Sequence, residues 1–347
     1  MASLQPYFEK FHDEIKMEDE NDILREKRDI LIEKLNKKLK EQIADPPTFT
    51  NFNKGGYAMS LGVKPVDGDY DIDVGLEFDI NKNDYPNPVV VKEWVYNALV
   101  DQTDDVKIKE PCVTVQYHLR KEPAYHVDFA VYAHDGYPAN LYLARGKPTS
   151  NESDKKWEID DPKGLIKTIR DKFTDENDRL QFRRAIRGLK RWKDVKFSPD
   201  GHEAPIGIGL TVCGYNWFSV SKTLTDSVKL SYGYNDLDAT INLVNAMLSH
   251  FYLVTTSDGK TFFRLNMQLP VKPYNDLFDK MTDIQMTNFK EKLEKLHVAM
   301  VVAQEETDPH EACKILAEQF GHDFPIPEIE ETAQKRGPAI ISSSSAA

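Results

Sequence analysis

Asp67, Asp69, Asp71 and Asp73 occupy every second position of one short stretch, a few residues beyond the adjacent glycines Gly55 and Gly56. Carboxylates that close repel one another, so water around a solvated turn or a divalent cation must compensate them. In an extended strand, alternate side chains share a face. Asp71 and Asp73 then point one way while Ile72 and Val74 turn into a core. That makes 71/73 a better ligand pair than 69/71, because Asp67-Gly68-Asp69 has the composition of a turn. A second stretch, YHVDFAVY at residues 125–132, repeats the logic. Val127, Phe129 and Val131 share one face; His126, Asp128 and Ala130 share the other. Asp128 is a lone acid in an apolar run, costly to bury unpaired. Three carboxylates from two strands can hold two Mg²⁺ ions about 3.5–4 Å apart. One ion would activate a hydroxyl nucleophile, the other neutralise a triphosphate and its departing pyrophosphate. The competing reading is an edge strand whose acids are simply solvated. A calcium loop of the EF-hand type does not fit, because the sixth position from Asp67 or Asp69 is Ile72 or Val74 rather than glycine. His126 reads as a structural neighbour.

The glycine pair alone is a weak signal, since most such pairs are plain turns. Placed before an acidic strand, its backbone N–H groups can cradle phosphates beside metal ions. A basic helix offers a second phosphate partner. Over residues 180–197, Phe182, Ala185, Ile186, Leu189 and Trp192 make an apolar face, and Arg183, Arg187 and Lys190 fall at i, i+4 and i+7 on another. This stripe either pairs with Asp175, Glu176 and Asp178 in solvent or meets a triphosphate, with Lys190 as the point charge opposite the metals.

These residues need elements to carry them. Leu24, Leu31, Leu35 and Leu39, with Ile32 and Ile43, stripe a long helix over 19–43, which the prolines in 44–49 end. Strands are predicted over 49–53, 71–78, 112–119 and 125–133, with a helix over 89–102 and a polar loop over 144–157. A helix opens near 160, with Asp161 as N-cap and Pro162 in the first turn. From there to about 320 the pattern is helical, apart from a turn into a strand over 258–265. No internal repeat is present. The pattern gives an α+β chain: a catalytic lobe over 1–150 with a small mixed sheet and the long N-terminal helix, a helical lobe over 151–330, and a flexible tail over 331–347.

The 347 residues are enough for two lobes, and 40% hydrophobic with 29% charged residues is ordinary for a globular protein. No apolar run approaches the roughly 18–20 residues a membrane helix needs, and the N-terminus shows no apolar signal core. Three scattered cysteines, Cys112, Cys213 and Cys313, fit a reducing compartment, so a cytoplasmic location is expected. A net charge of −12 argues against a protein that coats nucleic acid, while leaving room for small phosphorylated ligands in a local cationic pocket.

On these residues the chain resembles the DNA polymerase β-type nucleotidyltransferase superfamily and, within it, the bacterial cGAS/DncV-like nucleotidyltransferases (CD-NTases), which make cyclic oligonucleotide second messengers. The superfamily signature is a Gly-[Gly/Ser] turn, then Asp-x-Asp, then a third Asp on a later strand: here Gly55-Gly56, Asp71-x-Asp73 and Asp128. HVDFAVYA at 126–133, KKWEIDDP at 155–162 and RGLKRWKD at 187–194 are similar to segments of the DncV-type branch. The similarity runs from about 49 to 265. Departures concern the bases rather than the triad. Gly56 stands where many relatives have serine, with Ser60 the candidate replacement for its phosphate contact. Gly207 and Gly209 fall near a serine of the DncV type, and Thr114 stands in the place of a base-facing arginine. The zinc-ribbon cluster of the animal DNA sensor is absent, so activation by duplex DNA is not expected.

The resemblance implies a polymerase β-like lobe and a helical lobe with the active site in the cleft between them. It implies a Mg²⁺-dependent enzyme, with Mn²⁺ as a possible substitute, that makes a cyclic di- or trinucleotide from NTPs in antiphage signalling. Asp71, Asp73 and Asp128 would be catalytic and metal-binding. Gly55, Gly56, Tyr57, Ser60 and Lys190 would hold the triphosphate, and Asp258 would touch base or ribose. The alternatives are a template-independent RNA or tRNA nucleotidyltransferase and a degenerate nucleotide-binding or antitoxin-like module. A ubiquitin-transfer-like partner at the Ser-rich tail is a further expectation.

Overall fold

In strand β2 (Asp69–Asn81) every second side chain is apolar, and that half of it, Ile72, Val74, Leu76 and Phe78, is fully buried. Strand β5 (Ala124–His134) runs parallel to β2 and buries Val127, Phe129 and Val131 on the same side. β1 (Phe49–Asn53) pairs antiparallel with the other edge of β2. β4 (Val113–Tyr117) pairs antiparallel with β5, and β3 (Asp105–Ile108) with β4, giving the order β1-β2-β5-β4-β3. β6 (Leu141–Ala144) and β7 (Trp157–Asp160) extend the sheet beyond the far end of β5. Helices α2 (Glu20–Gln42) and α4 (Val89–Leu99) lie over the apolar face. Leu24, Leu31, Leu35 and Leu39 of α2 are buried as the stripe predicts, each such side chain contributing about 1.5–3 kcal/mol. Sealing that face leaves the opposite one for the acids.

A second core gathers α1 (Gln5–Ile15), α6 (Glu176–Lys196), α7 (Gly207–Trp217), α8 (Asp236–Ser249), α9 (Asp283–Glu305) and α10 (Pro309–Phe320). The apolar face of α6 is buried here, including Phe182, Ile186, Leu189 and Trp192. α5 (Pro162–Arg170) leads into this region and is capped by Asp161, whose carboxylate accepts from the Gly164 N–H at 2.8 Å. Met59 and Leu61 belong to this second core although they adjoin the sheet in sequence. The glycine turn therefore ends inside the helical packing.

The chain is described from a computed structural model covering residues 3–329, apart from 18–19, 67, 104, 118–123, 138–139, 199–202 and 230. Asp67 and the tail over 331–347 lie outside the described residues. The mixed α+β fold expected of a polymerase β-like nucleotidyltransferase is present, with local corrections. β2 begins at Asp69 rather than 71, where Tyr70 stacks on Tyr125 at 5.5 Å, so Asp69 is a strand residue and not part of a turn. The helix predicted over 89–102 ends at Leu99. The region read as almost wholly helical contains a hairpin, β8 (Lys222–Asp226) and β9 (Ser231–Tyr234), whose side chains are mostly exposed and show no apolar alternation. Among the described residues no helix is long and apolar enough to cross a membrane.

Candidate active site

The parallel register sets Asp71 opposite His126 and Asp73 opposite Asp128. Because both strands bury their other side chains, the acids are driven to one face. Ligand atoms of Asp71, His126 and Asp128 all lie within 4.8 Å of one another, the spacing a shared cation requires. His126, read from sequence as a bystander, sits between two acids: Nδ1 is 3.2 Å from Asp69 and Nε2 is 3.5 Å from Asp71. Asp73 lies on the same face but outside that group of three.

The glycine turn closes against Asp73. The Lys54 N–H donates to the Asp73 carbonyl at 2.9 Å, and α3 (Gly55–Ala58) starts there. Gly55 has φ +66°, and a Cβ on it would stand 1.9 Å from Asp73 Oδ2. No other residue type fits. Lys190 reaches the same turn from α6, its Nζ donating to the Leu61 carbonyl at 3.2 Å and standing 3.4 Å from where a Cβ on Gly56 would be. Arg187, one turn earlier, is buried; it donates to the carbonyls of Ser60 and Gly62 at 3.0 Å each and contacts His12 Nε2. The predicted cationic stripe thus splits into a clamp, Arg187, and a cation beside the carboxylates, Lys190. Ser60, at φ +57°, and Tyr57, whose hydroxyl accepts from Arg25 Nε at 2.6 Å, line a cavity of about 470 Å³.

Electrostatics mark the face as strained. The Asp71 side chain is 45% exposed, yet its carboxyl is pushed well above the ordinary carboxylate range by loss of hydration, then by the charges of Asp73 and Asp128. Asp73 is raised too, chiefly by burial, against the pull of Lys54. Burial, with Lys193 and Arg187 nearby, lowers the Lys190 ammonium to about 8. Acids that resist ionisation beside a cation that resists protonation suit a site that takes in charged partners.

Residues 49–132 match the sequence profile of the nucleotidyltransferase domain described as cyclic GMP-AMP synthase DncV-like. That segment carries a DncV-like nucleotidyltransferase domain. The DncV-like segment covers β1, the glycine turn, β2, and β5 to Tyr132, so it holds all three acids. A cyclic GMP-AMP synthase of Escherichia albertii is 28% identical over 193 residues, 54% of this chain and 40% of that protein. The chain thus spans less than half of that relative. Two solved structures share the fold. Vibrio cholerae DncV cyclic AMP-GMP synthase, a prokaryotic cGAS homolog, has a TM-score of 0.58 at 19% identity, covering 80% of this chain and 70% of its own. The Bradyrhizobium diazoefficiens CD-NTase CdnG, in complex with GTP, has a TM-score of 0.66 at 12% identity, covering 92% and 95%.

Several neighbours of this DncV-like site were not legible as such. The Thr114 hydroxyl donates to Asp128 Oδ1, because β4 pairs Thr114 directly with Asp128. Lys109 Nζ is 4.0 Å from the same oxygen. Lys92 of α4, fully buried, donates to the carbonyls of Lys109, Glu110 and Gly146 and so fixes that loop. Lys54 Nζ donates to the Tyr132 hydroxyl at 2.7 Å, which donates to Asp160 at 2.8 Å. Alternation could have flagged Thr114 once its strand was paired with 125–133; Lys109, on a loop, carries no periodic signal. Asp258 is exposed on the turn joining β10 (Tyr252–Thr255) and β11 (Thr261–Arg264), where it accepts from Thr256 and pairs with Lys260 at 2.8 Å. None of its contacts among the described residues involves the three carboxylates.

Proposed function

We propose that this protein is a Mg²⁺-dependent synthase that joins two or three nucleotides from NTPs into a cyclic product and releases pyrophosphate. The β2/β5 register supports this most, since it aligns Asp71, Asp73 and Asp128 on one face with the glycine turn packed on Asp73. Asp71 and Asp128, whose ligand atoms lie within 4.8 Å of one another and of His126, with Asp73 beside them on the same face, would hold Mg²⁺ or Mn²⁺. Such ions, when bound, neutralise the triphosphate and make a ribose hydroxyl more acidic. The chain's own residues do the positioning. Backbone N–H groups of Gly55, Gly56 and Tyr57, the Ser60 hydroxyl and Lys190 hold the donor triphosphate. Asp128, oriented by Thr114, takes the proton of the acceptor hydroxyl as it attacks the α-phosphorus and the bond to the pyrophosphate oxygen breaks. A second transfer within the linear product closes the ring. The cleft would lie between a catalytic lobe over 1–150 and a helical lobe over 151–330.

The relatives support NTP substrates: one is a cyclic GMP-AMP synthase, and another was solved with GTP. A cytoplasmic role in antiphage signalling, with the messenger acting on a separate effector, belongs to the same reading. The test incubates the full chain with each labelled NTP and Mg²⁺ or Mn²⁺, then resolves products resistant to phosphatase. A cyclic product that vanishes in Asp71→Asn/Asp73→Asn is expected. A linear, length-distributed product would make the protein a template-independent polymerase. Nucleotide binding indifferent to Mg²⁺, with no pyrophosphate released, would make it a binding module.

A further inference from the structure

Away from the carboxylates, Lys163, Lys167 and Arg170 of α5 meet Arg179 and Arg183 of α6 around a cavity of about 330 Å³. Lys163 and Lys167 are one helical turn apart, as are Arg179 and Arg183, and like charges at that spacing destabilise a helix. Acids answer only part of the cluster. Lys163 pairs with Glu77 and Lys167 with Asp171, while Arg179 donates to the Phe173 carbonyl at 3.2 and 2.9 Å. Arg170 and Arg183 have no ion pair and no hydrogen bond among the described residues. Arg183 is half-buried, and lost hydration, then Arg179 and Arg170, press its guanidinium below its usual pKa. In a chain of net charge −12, guanidinium groups left unmatched at one cavity call for an anion.

We propose that the α5–α6 groove is a second anion site, separate from the carboxylate face, that takes a small ligand bearing a chain of phosphates. The cavity of about 330 Å³ has room for a chain of phosphates, and Ile166 and Arg170 form its wall towards the neighbouring 470 Å³ cavity that reaches Tyr57 and Ser60. Planar guanidiniums on two helices suit bidentate capture of phosphate oxygens. The acidic remainder of the surface disfavours a long nucleic acid, whose phosphates would have to run beyond the groove.

The test is calorimetric titration of tripolyphosphate, and separately of ATP, into the full chain in divalent-free buffer. The wild type should show one binding event that depends on Lys190 and a second that does not. Arg170→Ala/Arg183→Ala should weaken the second by at least about tenfold, since two charge-assisted contacts are lost. Lys190→Ala and Asp71→Asn/Asp73→Asn should keep it. Arg183→Lys, which preserves charge, should retain part of the affinity and guards against a folding defect. Tripolyphosphate and ATP binding alike assigns the site to the phosphate chain; ATP alone assigns it to a nucleotide. The proposal is overturned if the arginine double variant titrates like the wild type. It is equally overturned if a short RNA or DNA duplex displaces tripolyphosphate through these arginines at lower concentration. Neither result depends on whether the chain releases pyrophosphate from NTPs.

Discussion

A Cβ atom on residue 55 would stand 1.9 Å from Oδ2 of Asp73. The turn and the acid occupy one space, and only glycine at φ +66° lets them share it. Gly55→Ala must move either the turn or the carboxylate. The left-handed backbone costs about 1–2 kcal/mol, but the larger effect is on geometry, where a misplacement near 1 Å costs about a hundredfold in rate. Pyrophosphate release should fall by about that factor while the melting temperature drops by only a few degrees. Retention of near-normal turnover would show that Asp73 is not in the machinery.

Gly56 gives the opposite expectation. A Cβ there would meet Lys190 Nζ at 3.4 Å and the Leu61 carbonyl at 3.6 Å, ordinary contacts with one flexible partner. Gly56→Ser should fold within about 0.5 kcal/mol of the wild type and lower KM for the donor NTP by supplying a hydroxyl at the phosphates. A raised KM would mean that the backbone, not residue 56, makes that contact.

Much of this was readable because burial enforces it. The alternation of β2 and β5 made their acids cofacial as soon as Ile72, Val74, Val127 and Phe129 had to be buried. The α2 stripe and the Asp161 cap follow from the same local rules. What was not readable depends on register across distant segments. Nothing in the sequence aligns Asp73 with Asp128 rather than with His126, two residues away, and nothing brings Arg187 onto the Ser60 carbonyl, 127 residues distant. The exposed β8–β9 hairpin carries no apolar period, so its residues resemble a polar loop.

Thr114 offers a test of orientation. Its hydroxyl donates to Asp128 Oδ1, and Cys112 Sγ lies 3.6 Å behind it. Thr114→Val keeps the shape and removes the donor, costing about 1 kcal/mol or less in stability. Loss of a fixed proton acceptor should lower kcat by about ten- to hundredfold with KM unchanged, whereas Thr114→Ser should restore it. A change confined to KM would place Thr114 against a nucleotide instead.

His12 should make the fold acid-sensitive. Burial, then Arg187 and Arg184, lower its pKa from 6.5 to about 4, so the folded chain holds the neutral ring as an acceptor for Arg187. Between those values the unfolded chain binds the extra proton, so stability rises with pH across that window and is lost as pH falls through it. The contribution is on the order of 3 kcal/mol. Melting temperatures from pH 7 to 4.5 should fall more steeply in the wild type than in His12→Gln, which keeps a neutral acceptor. Parallel curves would show that the Arg187 contact does not depend on this ring.

The carboxylates predict the reverse slope, and a cation should cancel it. Asp71 and Asp73 have folded pKa values above their ordinary ones, through lost hydration and, at Asp71, the charge of Asp73 itself. The folded chain therefore holds protons that the unfolded chain has already released. That contribution is complete below the ordinary carboxylate pKa and is lost as pH rises through the raised values. In divalent-free buffer, Asp71→Asn/Asp73→Asn should melt higher than the wild type near neutral pH, since it removes two crowded charges without changing shape. Mg²⁺ at about a hundred times its Kd should add about 2.7 kcal/mol to the wild type, a shift of several degrees, and more at pH 8 than at pH 6. The double variant should show neither the pH slope nor the Mg²⁺ shift. If Mg²⁺ raised both proteins equally, the ion would be binding elsewhere, and the convergence of β2 and β5 would be a crowded surface without a metal.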